Sequence, residues 1–388
     1  MLAMSDVGST GVLNLAAPAA GGNAGLLVVN AAQQLEIAGS LLGSGVKTGS
    51  VEVDVGTLAS FEDLNNRLNA GSFTESRDLR VRSGNVSIDG VVNAKSFILA
   101  LDAGSITVNG TINAAGSTGG RINLISNGNI TLNNGSVLSV RGTDFDSAGK
   151  GGSIWLKTTG AGQRTSLAAP RSISASMHKL PLSASRGQFG GKLHLRAPQN
   201  ASFNDLLIDP LAGSVLGASS IEIEGFRSYL FNQSNVLLRA GTLAIAGEHL
   251  TTTTIHSNNT SFMANHAAIT TRLLGGNPAL QSISVLQPGV EIVNRGGSIS
   301  LGTATSAAVN DWNLASFRYG PQNAAGTLTM RAAGNLEFYN ALSDGFTPVT
   351  TGTTPLVERL WLAPLSALNT QCPSPRKTGT YASLPAQM

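Results

Sequence analysis

Short runs in which apolar residues alternate with small polar residues recur along the chain. Residues 86–94 read Val-Ser-Ile-Asp-Gly-Val-Val-Asn-Ala, residues 106–114 read Ile-Thr-Val-Asn-Gly-Thr-Ile-Asn-Ala, and residues 130–138 read Ile-Thr-Leu-Asn-Asn-Gly-Ser-Val-Leu, with one residue inserted. The starting positions 86, 106 and 130 are 20 and then 24 residues apart. A recurrence in this range is typical of stacked structural repeats. The pattern therefore predicts an elongated β-solenoid.

The alternating runs predict short strands that end in polar turns. Strands this short cannot bury one face alone, but parallel stacking at about 4.8 Å per coil covers each strand with the next. Inward side chains would then form three columns, which are Val86, Ile106 and Ile130; Ile88, Val108 and Leu132; and Val92, Ile112 and Val137. The predicted strands are 50–55, 79–81, 86–88, 97–101, 106–108, 122–124, 130–132, 154–156, 193–195, 221–223, 299–301, 328–330 and 336–338.

One segment departs from the alternation. Ser60 and Asp63 have the spacing of a helix cap, and Phe61, Leu64 and Leu68 follow at helical intervals. We therefore predict a short helical excursion over residues 59–70.

The predicted organisation follows from these patterns. N-terminal coils occupy 1–56, the helical excursion and a return strand 57–80, the main solenoid 81–346, and an irregular tail 347–388. Within the main solenoid, residues 158–189 and 230–280 lose the rhythm. They are predicted to form longer loops or degenerate coils.

The composition agrees with an all-β protein and argues against several other classes. Forty-six glycines fit tight turns, because glycine adopts positive φ at little cost, and only 12% of the residues are charged. The net charge of +3 comes from scattered side chains, so no nucleic-acid partner is predicted. No stretch has the apolar length of a membrane span, and the N-terminus lacks the pattern of a signal peptide. The single cysteine, Cys372, has no partner for an internal disulfide.

A series of segments that spans most of residues 50–346 carries a resemblance to a known family. The segments are 68–82 (Leu-Asn-Ala-Gly-Ser-Phe-Thr-Glu-Ser-Arg-Asp-Leu-Arg-Val-Arg), 104–114 (Gly-Ser-Ile-Thr-Val-Asn-Gly-Thr-Ile-Asn-Ala), 149–156 (Gly-Lys-Gly-Gly-Ser-Ile-Trp-Leu), 288–292 (Pro-Gly-Val-Glu-Ile), 311–314 (Asp-Trp-Asn-Leu), 326–336 (Gly-Thr-Leu-Thr-Met-Arg-Ala-Ala-Gly-Asn-Leu) and 341–346 (Ala-Leu-Ser-Asp-Gly-Phe). In content and order they resemble the filamentous haemagglutinin-type large exoproteins that bacteria export by two-partner secretion.

The resemblance implies a right-handed parallel β-helix that is secreted through a partner pore in the outer membrane. It also implies a place at the bacterial cell surface or outside the cell, and a role in adhesion, surface attachment or biofilm formation. Host or bacterial surface glycans and proteins would be the partners. The family's secretion domain and signal peptide are not recognisable here, and residues 371–379 are foreign to a β-helix. We therefore expect an internal or C-terminal fragment of a larger exoprotein, with a tail altered by truncation or a frameshift.

Residue types that can bind metals are few in this sequence and are scattered along it. The histidines are His178, His194, His249, His256 and His266. None has the spacing of a metal or haem ligand pair, and His194 is predicted to point outward because it alternates with leucines. Asp144, Asp146 and Ser147 supply too few oxygens for calcium and are predicted to form a turn. No metal or cofactor site is predicted.

Parallel β-helices also serve as polysaccharide lyases and hydrolases, which use carboxylates that converge on a groove. Two pairs of acids share a strand face, Glu52 with Asp54 and Glu222 with Glu224, but apolar neighbours take the inward positions. These acids are predicted to keep the outer face soluble. Trp155 is predicted to face outward, where its ring could stack on a sugar, but a single aromatic ring does not make a binding platform.

The preferred function is a structural and adhesive segment of a secreted surface exoprotein. No catalytic residue is predicted, so the chain is not expected to be an enzyme. A β-helical carbohydrate-active enzyme and a haem-utilisation exoprotein are the alternatives.

Overall fold

The protein is mostly β and contains large parallel sheets. The computed structural model describes residues 6–7, 10–142, 151–160, 163–167, 172–174, 191–241, 249–303 and 311–343. Strands hold 48% and helices 12% of these residues, which agrees with the predicted all-β class. The predicted tail at 347–388 lies outside the described residues.

The described strands are β1 (Asp6–Val7), β2 (Val12–Asn14), β3 (Leu26–Ile37), β4 (Ser40–Leu42), β5 (Ser50–Leu58), β6 (Ser76–Val81), β7 (Val86–Ile88), β8 (Val91–Asn93), β9 (Ser96–Leu101), β10 (Ile106–Val108), β11 (Thr111–Asn113), β12 (Arg121–Ser126), β13 (Ile130–Leu132), β14 (Val137–Ser139), β15 (Ser153–Thr158), β16 (Thr165–Ser166), β17 (Ser172–Ser174), β18 (Gly191–Pro198), β19 (Val215–Leu216), β20 (Ala218–Phe231), β21 (Asn235–Arg239), β22 (Leu250–Thr251), β23 (Ser284–Asn294), β24 (Ser298–Leu301), β25 (Trp312–Asn313), β26 (Arg318–Tyr319), β27 (Ala324–Ala325), β28 (Thr327–Ala332), β29 (Leu336–Phe338) and β30 (Leu342–Ser343). The described helices are α1 (Phe61–Ala70), α2 (Thr252–Met263), α3 (His266–Leu274) and α4 (Pro278–Gln281). Every strand predicted from the sequence lies within one of the observed strands, so those predictions are confirmed.

The chain divides into two compact units. Unit 1 consists of Met1–Ala201, Leu206–Glu224 and Ala267–Val285. Unit 2 consists of Ser202–Asp205, Gly225–His266 and Leu286–Met388.

Three parallel sheets form the framework of unit 1. Sheet 1 has the order β1-β3-β5-β6-β9-β12-β15-β18, followed by the first part of β20. Sheet 2 has the order β16-β13-β10-β7, and sheet 3 has the order β19-β17-β14-β11-β8. From β6 to β17 the chain therefore visits sheets 1, 2 and 3 in strict rotation, so each strand pairs with a strand one rotation away.

The strand registers confirm two of the predicted columns. Val86 pairs with Ile106 and Ile106 with Ile130, while Ile88, Val108 and Leu132 form the adjacent column. The side chains of Ile106, Val108, Ile130 and Leu132 are completely buried. Like side chains thus cover one another from rotation to rotation.

The third predicted column is wrong at one position. Val92 pairs with Ile112 as expected, but Ile112 pairs with Leu138, and Val137 pairs with Thr111. Leu138 is buried, and Val137 is partly exposed. The turn before β14 is longer than the corresponding turn before β11 by two residues, so the alternation resumes one position later than the sequence alignment suggested.

The predicted helical excursion is confirmed as α1. The Ser60 hydroxyl accepts a hydrogen bond from the Asp63 backbone N–H at 3.1 Å and caps the helix. Phe61, Leu64 and Leu68 are buried on the inner face of the helix.

A buried arginine that the sequence pattern did not indicate fixes α1 to the sheet. Arg77 occupies an inward position of β6 beside Val51 and Phe97, and its side chain is almost completely buried. Its guanidinium donates to the Phe73 carbonyl at 2.8 Å and to the Asn65 carboxamide oxygen at 2.7 Å. Burial lowers the pKa of Arg77 to about 10.

Unit 2 has its own parallel sheets. One contains the last part of β20 with β23 and β28, and a second has the order β22-β21-β24-β29. The strands β25 and β30 form a parallel pair, and β26 and β27 an antiparallel pair. The buried core of this unit consists of Val236, Leu238, Leu250, Ile255, Val290, Ile292, Ile299, Leu301, Trp312 and Met330.

The segment 230–280, predicted to form longer loops or degenerate coils, contains the strands β21 and β22 and the helices α2 and α3, and α4 extends from it to Gln281. These helices were not predicted from the sequence. The Thr251 hydroxyl accepts from the Thr254 backbone N–H and caps α2, so the threonine run begins a helix. Within unit 1, Arg272 of α3 donates to the Ile208 carbonyl at 2.8 Å. In the other predicted loop, 158–189, the described residues include β16 and β17.

Replacing Leu99 by alanine should reduce the free energy of unfolding by about 2–5 kcal/mol, because a completely buried side chain leaves a cavity between two neighbouring strands. The neighbouring Ile98→Ala removes an outward, partly exposed side chain and should cost about 1 kcal/mol or less. Urea denaturation followed by circular dichroism measures both. Equal losses would contradict the assignment of inner and outer faces.

Arg77→Met should destabilise the protein by about 2–4 kcal/mol, because it leaves buried acceptors on Asn65 and Phe73 without their donor. Amides of α1 should exchange faster in hydrogen-exchange mass spectrometry. Arg80→Met is the matched control on the same strand, since Arg80 makes exposed ion pairs that are worth about 1 kcal/mol or less. Unchanged protection of α1 in Arg77→Met would refute the anchoring role.

Candidate functional site

The outward face of sheet 1 in unit 1 brings together several of the side chains singled out from the sequence, namely Glu52, Asp54, Trp155 and His194. The strand registers arrange its outward residues in three rows. The rows are Leu26, Ser50, Ser76, Ser96, Arg121, Ser153 and Lys192; Val28, Glu52, Asp78, Ile98, Asn123, Trp155 and His194; and Asn30, Asp54, Arg80, Ala100, Ile125, Lys157 and Arg196. The face therefore changes from acidic at β5 and β6, through apolar at β9, to aromatic and basic at β15 and β18.

Two carboxylates lie side by side at the acidic end. Glu52 and Asp78 are direct neighbours on paired strands, and both are exposed. Partial burial raises the pKa of Asp78, the Glu52 charge raises it further, and the Arg121 charge opposes both effects.

The remaining acids of this end are neutralised by arginines. Asp54 lies 3.0 Å from a nitrogen of Arg82 and 3.5 Å from one of Arg80. Arg80 also donates to Asp102 at 2.9 Å. The Asp102 hydrogen bond is the main reason that the pKa of Arg80 is raised. The predicted soluble outer face is therefore a network of ion pairs around Arg80.

Trp155 is surrounded by cationic side chains at the other end of the face. It lies outward and partly exposed between buried Ile154 and Leu156, which agrees with the sequence prediction. The Lys157 ammonium stands 4.0 Å from the centre of the Trp155 ring, a cation–π contact. Arg121 and Lys192 are exposed in the neighbouring row on either side of Ser153. We call Arg121, Trp155, Lys157 and Lys192 the tryptophan patch.

His194 and Glu224 correct two expectations. Both occupy outward positions, as the alternation with leucine and isoleucine indicates, but both are buried. Glu224 lies 2.9 Å from the Arg196 Nε and 3.3 Å from the His194 Nε2, and the His194 ring packs edge-on against Trp155. These buried side chains of β18 and β20 contact one another beside the Trp155 ring. The buried side chains of His194, Arg196 and Glu224 therefore lie next to the tryptophan patch.

The charges around Glu224 decide its protonation state. Burial alone would raise its pKa, but the Arg196 charge and the hydrogen bonds and charge of His194 together outweigh burial, so the pKa lies below the usual 4.5. The carboxylate therefore stays ionised at neutral pH.

The other described histidines have separate structural partners. His249 Nδ1 accepts from the Leu237 backbone N–H at 3.1 Å. His256 stacks near Phe317 and Tyr319, with ring centres 4.8 and 5.5 Å away. His266 Nε2 lies 3.0 Å from the Gln322 side-chain oxygen.

Within the described ranges no cluster of three or more His, Cys, Asp or Glu side chains could hold a metal ion. His178, Asp144, Asp146 and Ser147 lie outside those ranges.

A small cavity lies beside α1. It is lined by residues of β3 and α1, among them Leu35, Leu64 and Arg67, and has a volume of about 70 Å³. Ligand sites usually measure about 300–1,000 Å³, so this cavity is a packing gap. The outward face of sheet 1 is thus the better candidate for a binding site.

Comparisons with protein-family models, with curated proteins and with solved structures gave no match. Among the described residues, no helix combines the length and the apolar character needed to cross a membrane.

Glu224→Gln should destabilise the protein at pH 7 by about 3 kcal/mol, because it leaves the buried Arg196 without its counter-charge. Since the pKa of Glu224 is lowered in the folded state, its contribution is complete above pH 4.5 and is lost as the pH falls through the lower folded value. Because glutamine does not titrate, the free energy of unfolding of the variant should fall less than that of the wild type as the pH is lowered.

Urea midpoints measured between pH 7 and acidic pH test this expectation. Glu222→Gln is the matched control, two residues away on the same strand and partly exposed. Parallel pH profiles for the Glu224 variant and the wild type would refute the role of the buried ion pair.

Proposed function

We propose that the chain is a structural and adhesive segment of a secreted bacterial surface exoprotein of the filamentous haemagglutinin type. Its sheets would wind as a right-handed parallel β-helix, and its outward side chains would contact host or bacterial surfaces. The observation that carries the proposal is the strict rotation of consecutive strands through three parallel sheets in unit 1.

This rotation supports a β-helix because it gives each stretch of chain one strand per wall. A parallel strand–crossover–strand connection is right-handed in the great majority of proteins, which favours the right hand for this winding. Sheets 2 and 3 grow by one strand for each strand added to sheet 1. This growth lengthens all three sheets together.

Polar side chains that hydrogen-bond from one turn to the next also support the role of a structural scaffold. Asn109 donates to Asp89 at 2.5 Å, and Asn133 of the next rotation donates to Asn109 at 2.6 Å. At another turn, the Asn85 oxygen accepts from the Ser105 backbone N–H at 2.9 Å, and the Ser105 hydroxyl accepts from the Asn129 N–H at 3.0 Å. These side chains form hydrogen bonds with the turns of neighbouring rotations and thereby stiffen the scaffold. Adhesion would then depend on other parts of the protein surface.

The tryptophan patch is the part of the outward face best suited to bind a glycan. An indole ring offers an apolar face to a sugar ring, while Lys157 and Arg121 offer charged donors to its hydroxyl or carboxylate groups. The buried His194 ring, which lies 3.3 Å from Glu224, packs edge-on against Trp155 and supports the indole ring.

The resemblance supplies the remaining elements of the proposal. By analogy with the family, export would use a pore protein in the outer membrane, and the protein would act at the bacterial surface or after release. Co-expression of a chain that carries a secretion domain with its pore protein tests this route. If the co-expressed chain did not reach the medium, the proposed export route would be contradicted.

A carbohydrate-active enzyme is the second candidate, and the neighbouring carboxylates Glu52 and Asp78 favour it. The raised pKa of Asp78 fits the proton donor of such a pair. Turnover of a polysaccharide by the purified chain, abolished in Glu52→Gln and Asp78→Asn, would replace the adhesive proposal. A shift of the haem absorption band on titration would instead favour haem utilisation.

Trp155→Ala should weaken binding of the purified chain to a glycan or cell surface by about tenfold, equivalent to about 1.4 kcal/mol, because it removes the stacking ring. Binding is measured on immobilised glycans and on fixed cells, with the folded state checked by circular dichroism.

Phe203→Ala is the matched control. Phe203 is an exposed ring in unit 2 with the Arg227 guanidinium 3.7 Å from its centre, so it has a similar cation–ring contact. Equal loss of binding in both variants would refute the tryptophan patch. Absence of binding by the wild type to every surface tested would overturn the adhesive function.

A further inference from the structure

The chain contains three Asn-Gly pairs, at 109–110, 127–128 and 134–135. In such a pair the backbone nitrogen of glycine can attack the side-chain carbonyl carbon of asparagine, because glycine has no Cβ to hinder the approach. The reaction requires a mobile side chain and a backbone N–H that is free of other hydrogen bonds. The three pairs differ sharply in these two respects.

Two of the pairs are held in place by their neighbours. The Asn109 amide donates to Asp89 and its oxygen accepts from Asn133, while the Gly110 N–H donates to the Ile88 carbonyl at 2.9 Å. The Asn127 amide donates to the Asp102 carbonyl at 2.9 Å, and the Gly128 N–H donates to the Gly104 carbonyl at 2.8 Å. Both the attacking nitrogen and the attacked side chain are therefore engaged.

The third pair, Asn134 and Gly135, is not held by its neighbours in this way. Asn134 and Gly135 are exposed at the tip of the turn between β13 and β14, and the structure gives no hydrogen bond to the Asn134 side chain or the Gly135 N–H. The turn is closed behind them, because the Ser136 N–H donates to the Asn133 carbonyl at 3.1 Å. Gly135 has a φ of +88°, and a Cβ added there would meet no atom within 4 Å. The tip thus has room to change its covalent structure.

We infer that Asn134 is a site of spontaneous covalent modification, at which the folded protein converts asparagine to aspartate and isoaspartate. The Gly135 nitrogen loses its proton to solvent base and forms a bond to Cγ of Asn134. The Cγ–Nδ2 bond then breaks, and the side-chain nitrogen leaves as ammonia, which gives a cyclic succinimide. Water opens the ring at either carbonyl, so the net reaction consumes one water and releases one ammonia.

The modification changes the charge and the backbone of an exposed turn. A new carboxylate appears next to Asn133, whose side chain belongs to the polar ladder of Asn109 and Asp89. In the isoaspartate product the chain also gains one backbone carbon before Gly135. No atom lies within 4 Å of a Cβ built on Gly135, so the tip of the turn has space for the altered backbone.

One tryptic peptide tests the inference with an internal control. Cleavage after Arg121 and Arg141 releases residues 122–141, which contain both Asn127 and Asn134, and cleavage after Lys95 and Arg121 releases the peptide with Asn109. The purified full chain is incubated in mildly alkaline buffer, sampled over time and sequenced by tandem mass spectrometry. Isoaspartate is detected independently by enzymatic methylation.

In the folded chain, Asn134 should convert at least about tenfold faster than Asn127 and Asn109, which corresponds to a barrier lower by about 1.4 kcal/mol. In urea the three rates should converge, because the ladders and turns are lost. Asn134→Gln should remove the isoaspartate signal from the peptide, and Gly135→Ala should slow conversion at Asn134.

Equal conversion of Asn127 and Asn134 in the folded chain would overturn the inference. The same rate order in urea would also overturn it, because the preference would then come from local sequence. A variant that fails to fold is recognised by its circular dichroism, and the comparison within the wild-type peptide still decides the question.

Discussion

The structure depends on hydrogen bonding and packing between strands that are distant in sequence but aligned in register. Most strands of sheets 2 and 3 contain two or three residues, too few to form a stable sheet with local partners. Each obtains its backbone hydrogen bonds and its buried surface from the strand one rotation before and one rotation after it. Columns such as Val86, Ile106 and Ile130 are the result of this constraint.

The same constraint separates the interior from the functional surface. Inward positions must accept a neighbouring side chain above and below, so most of them are apolar and carry little chemistry, and the buried Arg77 of β6 is an exception. Outward positions are free of that requirement and hold the ion pairs around Arg80, the carboxylates Glu52 and Asp78, and the tryptophan patch. A scaffold built in this way favours recognition along a face, which is why an adhesive function fits it better than catalysis in a pocket.

Local patterns were sufficient to predict thirteen of the described strands and α1, but long strands such as β3 and β23 were not predicted. Alternating valine and isoleucine marks a strand, and the cap at Ser60 marks the helix, because both signals act within a few residues. Leu138 occupies the third column in place of Val137 because the turn before β14 is longer than expected. Residue types alone do not determine the length of a turn. Helix α2 has few apolar residues and begins at a threonine cap, so no helical periodicity indicated it. The burial of His194 and Glu224 and the reach of Arg77 depend on partners from other strands, which a pattern along one strand does not show.

The most direct test of the in-register account uses cysteine pairs in a Cys372→Ser background. Thr107 and Thr131 are paired neighbours, whereas Thr107 and Ser166 are two rotations apart. Adjacent strands are about 4.8 Å apart, within reach of a disulfide, and strands two rotations apart are about 10 Å apart, beyond it. The account predicts rapid oxidation of the Thr107→Cys, Thr131→Cys pair without loss of strand content, and little oxidation of the Thr107→Cys, Ser166→Cys pair. Equal oxidation of both pairs, or none in the first, would contradict it.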